Sequence, residues 1–278
     1  MNIIELNEGN ITDYKNIIDP DAAENIGREF YHGIAAESDE ASYSGALIWE
    51  YKNVEDDADT DAEIVFINAE SKEVTKELLF EFDKLSSGED VVRSFFEVFD
   101  IQDEVKEGFA GDGFSVSAGE SRDLFVSVSD LSALAAKKKV PPKIVGLNDI
   151  EEVQFMQGVL NCLFCGKKGI VDDLQYIEKD WFDHDTSSAV ITDGKISGMF
   201  LVHRFSSGNL MPVLLSAIGP EANKDLLYML CFSAKKALEK YPGDTPVIIR
   251  RHSDTVDALA KKLFGEKTGK MAVKGERR

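Results

Sequence analysis

The sequence predicts an α/β protein of the α+β kind, built as two tandem domains, each a mixed, mostly antiparallel sheet with helices on both faces. Three observations predict it. The first is repetition. Ile3-Ile4-Glu5-Leu6-Asn7-Glu8 returns 141 positions later as Ile144-Val145-Gly146-Leu147-Asn148-Asp149, and Lys76-Glu77-Leu78-Leu79-Phe80 returns 148 positions later as Lys224-Asp225-Leu226-Leu227-Tyr228. Two matches in the same order with a small drift are what a duplicated unit with differing loops leaves behind. The second is length, because 278 residues suffice for two domains that each bury a core. The third is a strand, long helix, strand unit late in the second half, which implies parallel pairing through a right-handed crossover.

In the first half, Asn10 to Ile18 and Asp21 to Tyr31 have helical patterns, the second opened by the start signal Asp19-Pro20-Asp21. Gly45 to Tyr51 and Ala62 to Ile67 read as strands separated by an acidic turn from Glu55 to Asp61. Helices are expected from Lys72 to Leu85 and from Asp90 to Glu107, then a β-hairpin of Phe114 to Ser117 and Leu124 to Val128 around Gly119. Ala133 to Pro142 is the expected linker, with the boundary at Pro141-Pro142. The domains are therefore expected at 1–138 and 143–278.

The second half shows the plan more cleanly. Asp149 to Cys162 is helical, Ala189 to Thr192 and Gly198 to His203 form a hairpin about Asp193-Gly194, and Leu210 to Ile218 is a strand. Asn223 to Tyr241 is a long helix with apolar residues at Leu226, Leu227, Leu230, Phe232 and Leu238, followed by a buried strand from Pro246 to Arg250. Ser253 to Phe264 is a last helix with Ser253 or Asp254 as its cap.

Charge narrows the possible ligands. The chain carries a net charge of −20, and residues 1–140 hold 12 Lys+Arg against 33 Asp+Glu while residues 141–278 hold 19 against 18. A field of that sign disfavours phosphates in the first half and, with no basic stripe, excludes nucleic acid as a partner. The basic segment Lys270 to Arg278 reads as a solvated terminus. The acidic start and the lack of a long apolar run point to a protein with neither leader nor membrane span. Three cysteines, Cys162, Cys165 and Cys231, are too few and odd in number for a disulfide framework, so a reducing, cytoplasmic setting is expected. Cys162-Leu163-Phe164-Cys165 has the spacing of a metal pair but lacks two further ligands, His184 lying in another segment, so core filling is the expected role and no metal is expected. Trp49, Phe66, Phe95, Phe96 and Phe99 are expected core aromatics.

The element order, twice over, resembles the fold of the GCN5-related N-acetyltransferases (GNATs), more closely over Asp149 to Glu266 than over Ile3 to Ser129. In that family a central strand feeds a phosphate-binding turn with a Gln/Arg-x-x-Gly-x-Gly/Ala signature, where bare backbone N–H groups and a helix N-terminus meet the pyrophosphate of coenzyme A. Here the matching stretch is Ile218-Gly219-Pro220-Glu221-Ala222-Asn223-Lys224, with one glycine and a proline that removes a donor, so the signature is absent. In the first half the same place reads Asn68-Ala69-Glu70-Ser71-Lys72-Glu73, with two carboxylates and no glycine, and no cofactor site is expected there. Gly108-Phe109-Ala110-Gly111-Asp112-Gly113 has a suggestive spacing but leads into a strand, and is read as a turn.

The resemblance implies acetyl-CoA as cofactor and a small-molecule amine as acceptor, handled by the second half. On that basis the candidate catalytic groups are Ser216, on the carbonyl-polarising strand, and His252 for proton transfer; the candidate cofactor contacts are Ala217, Gly219, Asn223 and Lys224. Each has a plainer reading, Asn223 as a helix cap, Lys224 as a solvated helix residue, His252 as a loop residue. The alternative function is a noncatalytic interaction or regulatory module built from two degenerate copies of the fold.

Overall fold

The structure is a computed structural model that describes residues 1–38, 43–53, 59–166, 169–171 and 173–278. The chain runs β1 (Asn2–Glu5), α1 (Pro20–Ala23), β2 (Tyr31–Glu37), β3 (Tyr43–Asn53), β4 (Thr60–Ala69), α2 (Lys72–Ser86), β5 (Val91–Val98), α3 (Asp103–Gly111), β6 (Ser115–Glu120) and β7 (Asp123–Ser127). It continues α4 (Ser132–Ala135), β8 (Ile144–Gly146), α5 (Glu152–Phe164), β9 (Ser188–Thr192), β10 (Lys195–Arg204), β11 (Leu210–Ala217), α6 (Ala222–Lys240), β12 (Pro246–Arg250), α7 (Asp254–Phe264) and β13 (Met271–Arg277). Residues 55–58 of the expected acidic turn lie outside the described residues.

Two sheets form. One has the order β1-β2-β3-β4-β5-β13-β6 and the other β7-β12-β11-β10-β9-β8. The series β1 to β5 and β8 to β12 are laid out identically, antiparallel except for the parallel pairs β4/β5 and β11/β12. The repeat seen in the sequence is therefore a repeat of architecture, its two matches falling on β1 and β8 and on α2 and α6.

The last strands are exchanged. After α3 and β6, the first half sends β7 to pair with β12, from Pro246↔Ser127 to Arg250↔Asp123. The second half sends β13 into the first sheet, between β5 and β6. The compact units are consequently Met1–Ser121 with Met271–Arg278, and Arg122–Lys270. This division differs from the expected 1–138 and 143–278, and Pro141-Pro142 lies inside the second unit. The reason is pairing: β7 and β13 join whichever sheet leaves an edge beside its fifth strand, and sequence order does not report that.

Three local expectations are corrected. Asp90 to Glu107 is not one helix; Val91 to Val98 alternates, with Ser94, Phe96 and Val98 buried, and is a strand bracketed by Asp90 and Asp100 at φ 48° and 52°. Asp21 to Tyr31 is helical only over Pro20–Ala23, where Asp19 caps the turn by accepting from the Asp21 N–H at 2.9 Å. The expected hairpin around Gly119 does not form, because β6 and β7 belong to different sheets.

In the first unit, α2 turns Thr75, Leu78, Leu79, Phe82 and Ser86 inward at helical spacing, and they pack on Trp49, Ile64 and Phe96. Phe96 stacks on Phe109 with ring centroids 4.1 Å apart. The opposite face is covered by Tyr14, Ile18 and Ile26 against Ala46 and Ile48. In the second unit, α5 covers one face through Phe155, Val159 and Cys162, and α6 with α7 covers the other through Met229, Ala237 and Ala260. Both units have helices on both faces, as the sequence predicts.

His32 lies between Trp49 and Tyr51, with centroids 5.8 and 5.0 Å away, and burial pulls its imidazole below the ordinary value of 6.5. A basic group with a lowered folded pKa stabilises the fold above its unfolded pKa and loses that contribution as pH falls. The urea midpoint reported by Trp49 fluorescence is expected to fall as pH drops below 6.5, and His32→Gln to flatten that dependence; an unchanged slope would refute the assignment.

Candidate functional site

The second unit opens a cleft in its own sheet. β11 carries one extra residue opposite β10, Val213, because Leu201 pairs with Leu214 and Val202 with Pro212. Such a bulge bends and twists its strand. On its other side β11 meets β12 in parallel at a single pair, Leu210↔Val247, and the two strands then diverge toward their carboxyl ends. Between them, under α6 and α7, lies a cavity of about 140 Å³. In the first unit the equivalent pair stays joined over five positions, Thr60↔Val91 to Ile64↔Phe96.

Strand alternation decides which backbone groups face the gap. Ile218 donates its N–H to Ser197 O at 2.8 Å across to β10, so Ser216 points its amide the same way, and Leu215 and Ala217 point theirs toward the gap. Beyond Leu210 no strand among the described residues pairs with that edge. A short strap does touch it, since Ile170 donates its N–H to Val213 O at 3.0 Å. The strap approaches so closely that a Cβ on Gly169 would lie 2.6 Å from Val213 O.

The six expected site residues fall into separate places. The Ser216 side chain is buried on the α5 face, beside the Cys162 thiol, and does not line the cavity. Burial pushes the Cys162 thiol up, which keeps it protonated. Ala217 borders the gap by its amide, on the α6 face. His252, past the end of β12, is exposed and lines the cavity mouth, with Nδ1 3.2 Å from the Arg250 carbonyl. Gly219 has φ 102°, the left-handed region where a side chain is strained. Asn223 and Lys224 are exposed in the first turn of α6, Lys224 paired with Glu221 at 2.9 Å. The structure therefore brings Ala217 and His252 to the carboxyl ends of two neighbouring parallel strands, where open α/β sheets place ligands. Ser216 faces away from them.

The N-terminus of α6 is poorly equipped to meet an anion. Ala222 donates to Gly219 O at 3.2 Å, and Lys224 and Asp225 donate to Glu221 O at 2.9 and 3.0 Å, which leaves the Asn223 amide as the first-turn donor with no such bond. Pro220 has no N–H, and Glu221 is acidic at the cap. In the first unit the corresponding turn is closed by its own side chain: Ser71 Oγ accepts from the Val74 N–H at 3.2 Å.

Sequence reasoning missed two ion pairs of the second unit. Arg250 binds Asp123 of β7 through Nε and Nη2 at 3.0 and 3.2 Å. Lys143 meets the buried Asp225 of α6 at 2.6 Å. Neither is visible without the strand exchange and the stacking of β8 under α6. Removing one partner of a buried charge strands the other, so Lys143→Ala is expected to lower the second unit's stability by about 2 kcal/mol, read as a urea midpoint by Trp181 fluorescence. Lys143→Met with Asp225→Leu should recover most of the loss. Among the described residues no group of histidine, cysteine and carboxylate ligands is arranged for a metal, and no helix is long and apolar enough to cross a membrane.

No protein-family model matches the chain, and no curated protein does. Solved structures do. A tandem GNAT protein from the clavulanic acid biosynthesis pathway superposes with a TM-score of 0.60 at 10% identity, over 99% of this chain and 98% of that one. The GCN5-related glucosamine N-acetyltransferase region of a fungal multi-domain β-N-acetylglucosaminidase does so with a TM-score of 0.56 at 11% identity, over 99% of this chain and 38% of that one. At such identities the likeness concerns the backbone alone, and over the whole chain it agrees with the duplicated strand order: this chain has a tandem GNAT-like fold.

Proposed function

We propose that the second unit is an N-acyltransferase site that takes the acyl group of acetyl-CoA or a related thioester and passes it to a small amine. The observation that carries this reading is the gap between β11 and β12, an apolar cavity of about 140 Å³ bordered by unpaired strand amides. The thioester would supply an activated carbonyl. Ala217 and Leu215, whose amides face the gap, would hold the negative charge that builds on the carbonyl oxygen as an amine attacks. His252 has Nδ1 3.2 Å from the Arg250 carbonyl; with Nδ1–H donated there, Nε2 would take the attacking amine's proton, the C–N bond would form as the thioester C–S bond breaks, and the departing coenzyme A thiolate would take up that proton. Ser216 has no part in this arrangement.

The fit is uneven along the cofactor. The cavity suits the acyl end, while the phosphate end would find the Asn223 amide, the Lys224 ammonium already paired with Glu221, and the free turn at Gly219. Coenzyme A itself is therefore expected to bind weakly. With a net charge of −20, the chain attracts cationic acceptors such as polyamines or aminoglycosides, and added salt should slow their capture. The test is titration calorimetry with acetyl-CoA, coupled to mass spectrometry of amine mixtures for an added acetyl group. Heat on mixing and an acetylated amine support the reading; no heat and no thermal stabilisation at millimolar acetyl-CoA would sink it in favour of a noncatalytic module.

A further inference from the structure

We propose that the acyl group this cavity is shaped for is not acetyl but a straight chain of about six carbons. The inference rests on the donor site proposed above and concerns the chemistry of its far end. Three features point to it.

The first is size. A cavity of about 140 Å³ is close to the roughly 150 Å³ apolar cavity that takes up benzene, six carbons, in another protein. An acetyl methyl would leave most of it empty. Voids are costly because their lining atoms lose contact partners.

The second is the wall. It is built of Phe200, Leu210, Leu230, Ala237, Val247 and Leu263, from the sheet on one side and α6 and α7 on the other.

The third is that its polar groups are occupied. Ser233 donates its hydroxyl to the Thr186 carbonyl, and the Thr186 amide and hydroxyl donate to Asp183 at 2.8 and 2.7 Å. Arg250 is held by Asp123. What recognises the ligand inside is area alone. Ala217 and His252 stay at the carboxyl ends of the strands, so the polar carbonyl would sit at the mouth and the chain would point inward.

Burying one methylene is worth about a fourfold gain in affinity. From acetyl to hexanoyl, four methylenes should strengthen binding on the order of 100-fold. Longer chains should gain nothing further, since overfilling a packed site is unfavourable. The experiment is calorimetry of the full chain with coenzyme A, acetyl-CoA, butyryl-CoA, hexanoyl-CoA and decanoyl-CoA, at two temperatures. Affinity climbing to about six carbons and then levelling, with a binding heat capacity that grows more negative along the series, is the expected result.

Acetyl-CoA and hexanoyl-CoA binding within about twofold of each other would overturn the chain-length inference while leaving the donor site standing. No binding by any thioester would overturn both. Two variants from different helices guard against a single misfolded protein: Ala237→Leu on α6 and Val256→Phe on α7 should each cut the hexanoyl-to-acetyl preference about tenfold, with the Trp181 emission of the native fold retained. A preference unchanged in both folded variants would refute the assignment of the chain to this cavity.

Discussion

A chain ending at Lys270 is expected to lose the cooperative unfolding of its first unit and keep that of its second. The eight residues removed include β13, which lies between β5 and β6 and pairs with both, from Val273↔Val98 to Arg277↔Ser94 on one side and from Met271↔Glu120 to Glu276↔Ser115 on the other. Each ladder hydrogen bond contributes about 1 kcal/mol net, against a typical total of about 5–15 kcal/mol for a domain. Side chains add to this. Arg277 binds Asp83 and Asp112 and covers the Phe114 ring at 4.7 Å. Gly275 lets the core ring of Phe96 lie across the strand, where a Cβ would come within 2.2 Å of it.

The chain offers a convenient readout. It has 2 tryptophans, Trp49 buried in the first unit and Trp181 partly buried in the second. In urea, each single-tryptophan variant, Trp181→Phe or Trp49→Phe, follows one unit. The truncated chain should show no Trp49 transition and a preserved Trp181 transition; a Trp49 midpoint equal to that of the full chain would show that the strand is dispensable. Gly275→Val, a milder form of the same perturbation, should lower the first unit's stability by about 3 kcal/mol through overpacking, read from the Trp49 transition.

Ala217→Pro is expected to lower acyl transfer by 10²- to 10³-fold, about 3–4 kcal/mol, with the fold retained and substrate binding little changed. Proline deletes an N–H without deleting a side chain of consequence. It is tolerated in a strand where the amide makes no ladder bond, and the Ala217 amide faces the gap rather than β10. Ser216→Ala provides the contrast. Its hydroxyl lies beside Cys162 on the other face of the sheet, so its loss should leave kcat within about twofold. Steady-state rates for both variants decide the matter: an equal loss in both, or no loss in Ala217→Pro, would remove the amide from the mechanism.

Much of this could be read before folding was considered. The repeated apolar segments locate β1 with β8 and α2 with α6, because matching cores demand matching patterns. The long helix between two strands in the second half announces the parallel pair there, since a crossover needs that span. Ser253 announces α7 through its side chain, which accepts from the Val256 N–H at 3.4 Å. A single glycine and a proline after β11, in place of the glycine signature, announce a poor phosphate cradle, and the amides of Ala222, Lys224 and Asp225 are bonded.

Other features were closed to that reading for physical reasons. Val91 to Val98 has enough apolar residues to satisfy a helical or an extended pattern, and burial on both sides by β4 and β13 selects the strand. Met271 to Arg277 looks like a charged terminus because Lys274, Glu276 and Arg277 dominate it, yet Lys274 pairs with Glu97 and Arg277 with two aspartates once the strand is inserted. Ser216 and Ala217 are neighbours in the chain and cannot be told apart by composition. Which one addresses the gap depends on the register of β11 against β10, and one residue of slip would exchange them.

Periodicity and composition are local and additive, so they establish the duplicated α/β plan, the acidic character of the first 140 residues and the helix that follows each central strand. Pairing is a contest for edges between segments far apart in the chain. It was decided only in three dimensions, where β7 completes the second sheet, β13 completes the first, and the Val213 bulge turns β11 away from β12 to leave a space large enough for a ligand.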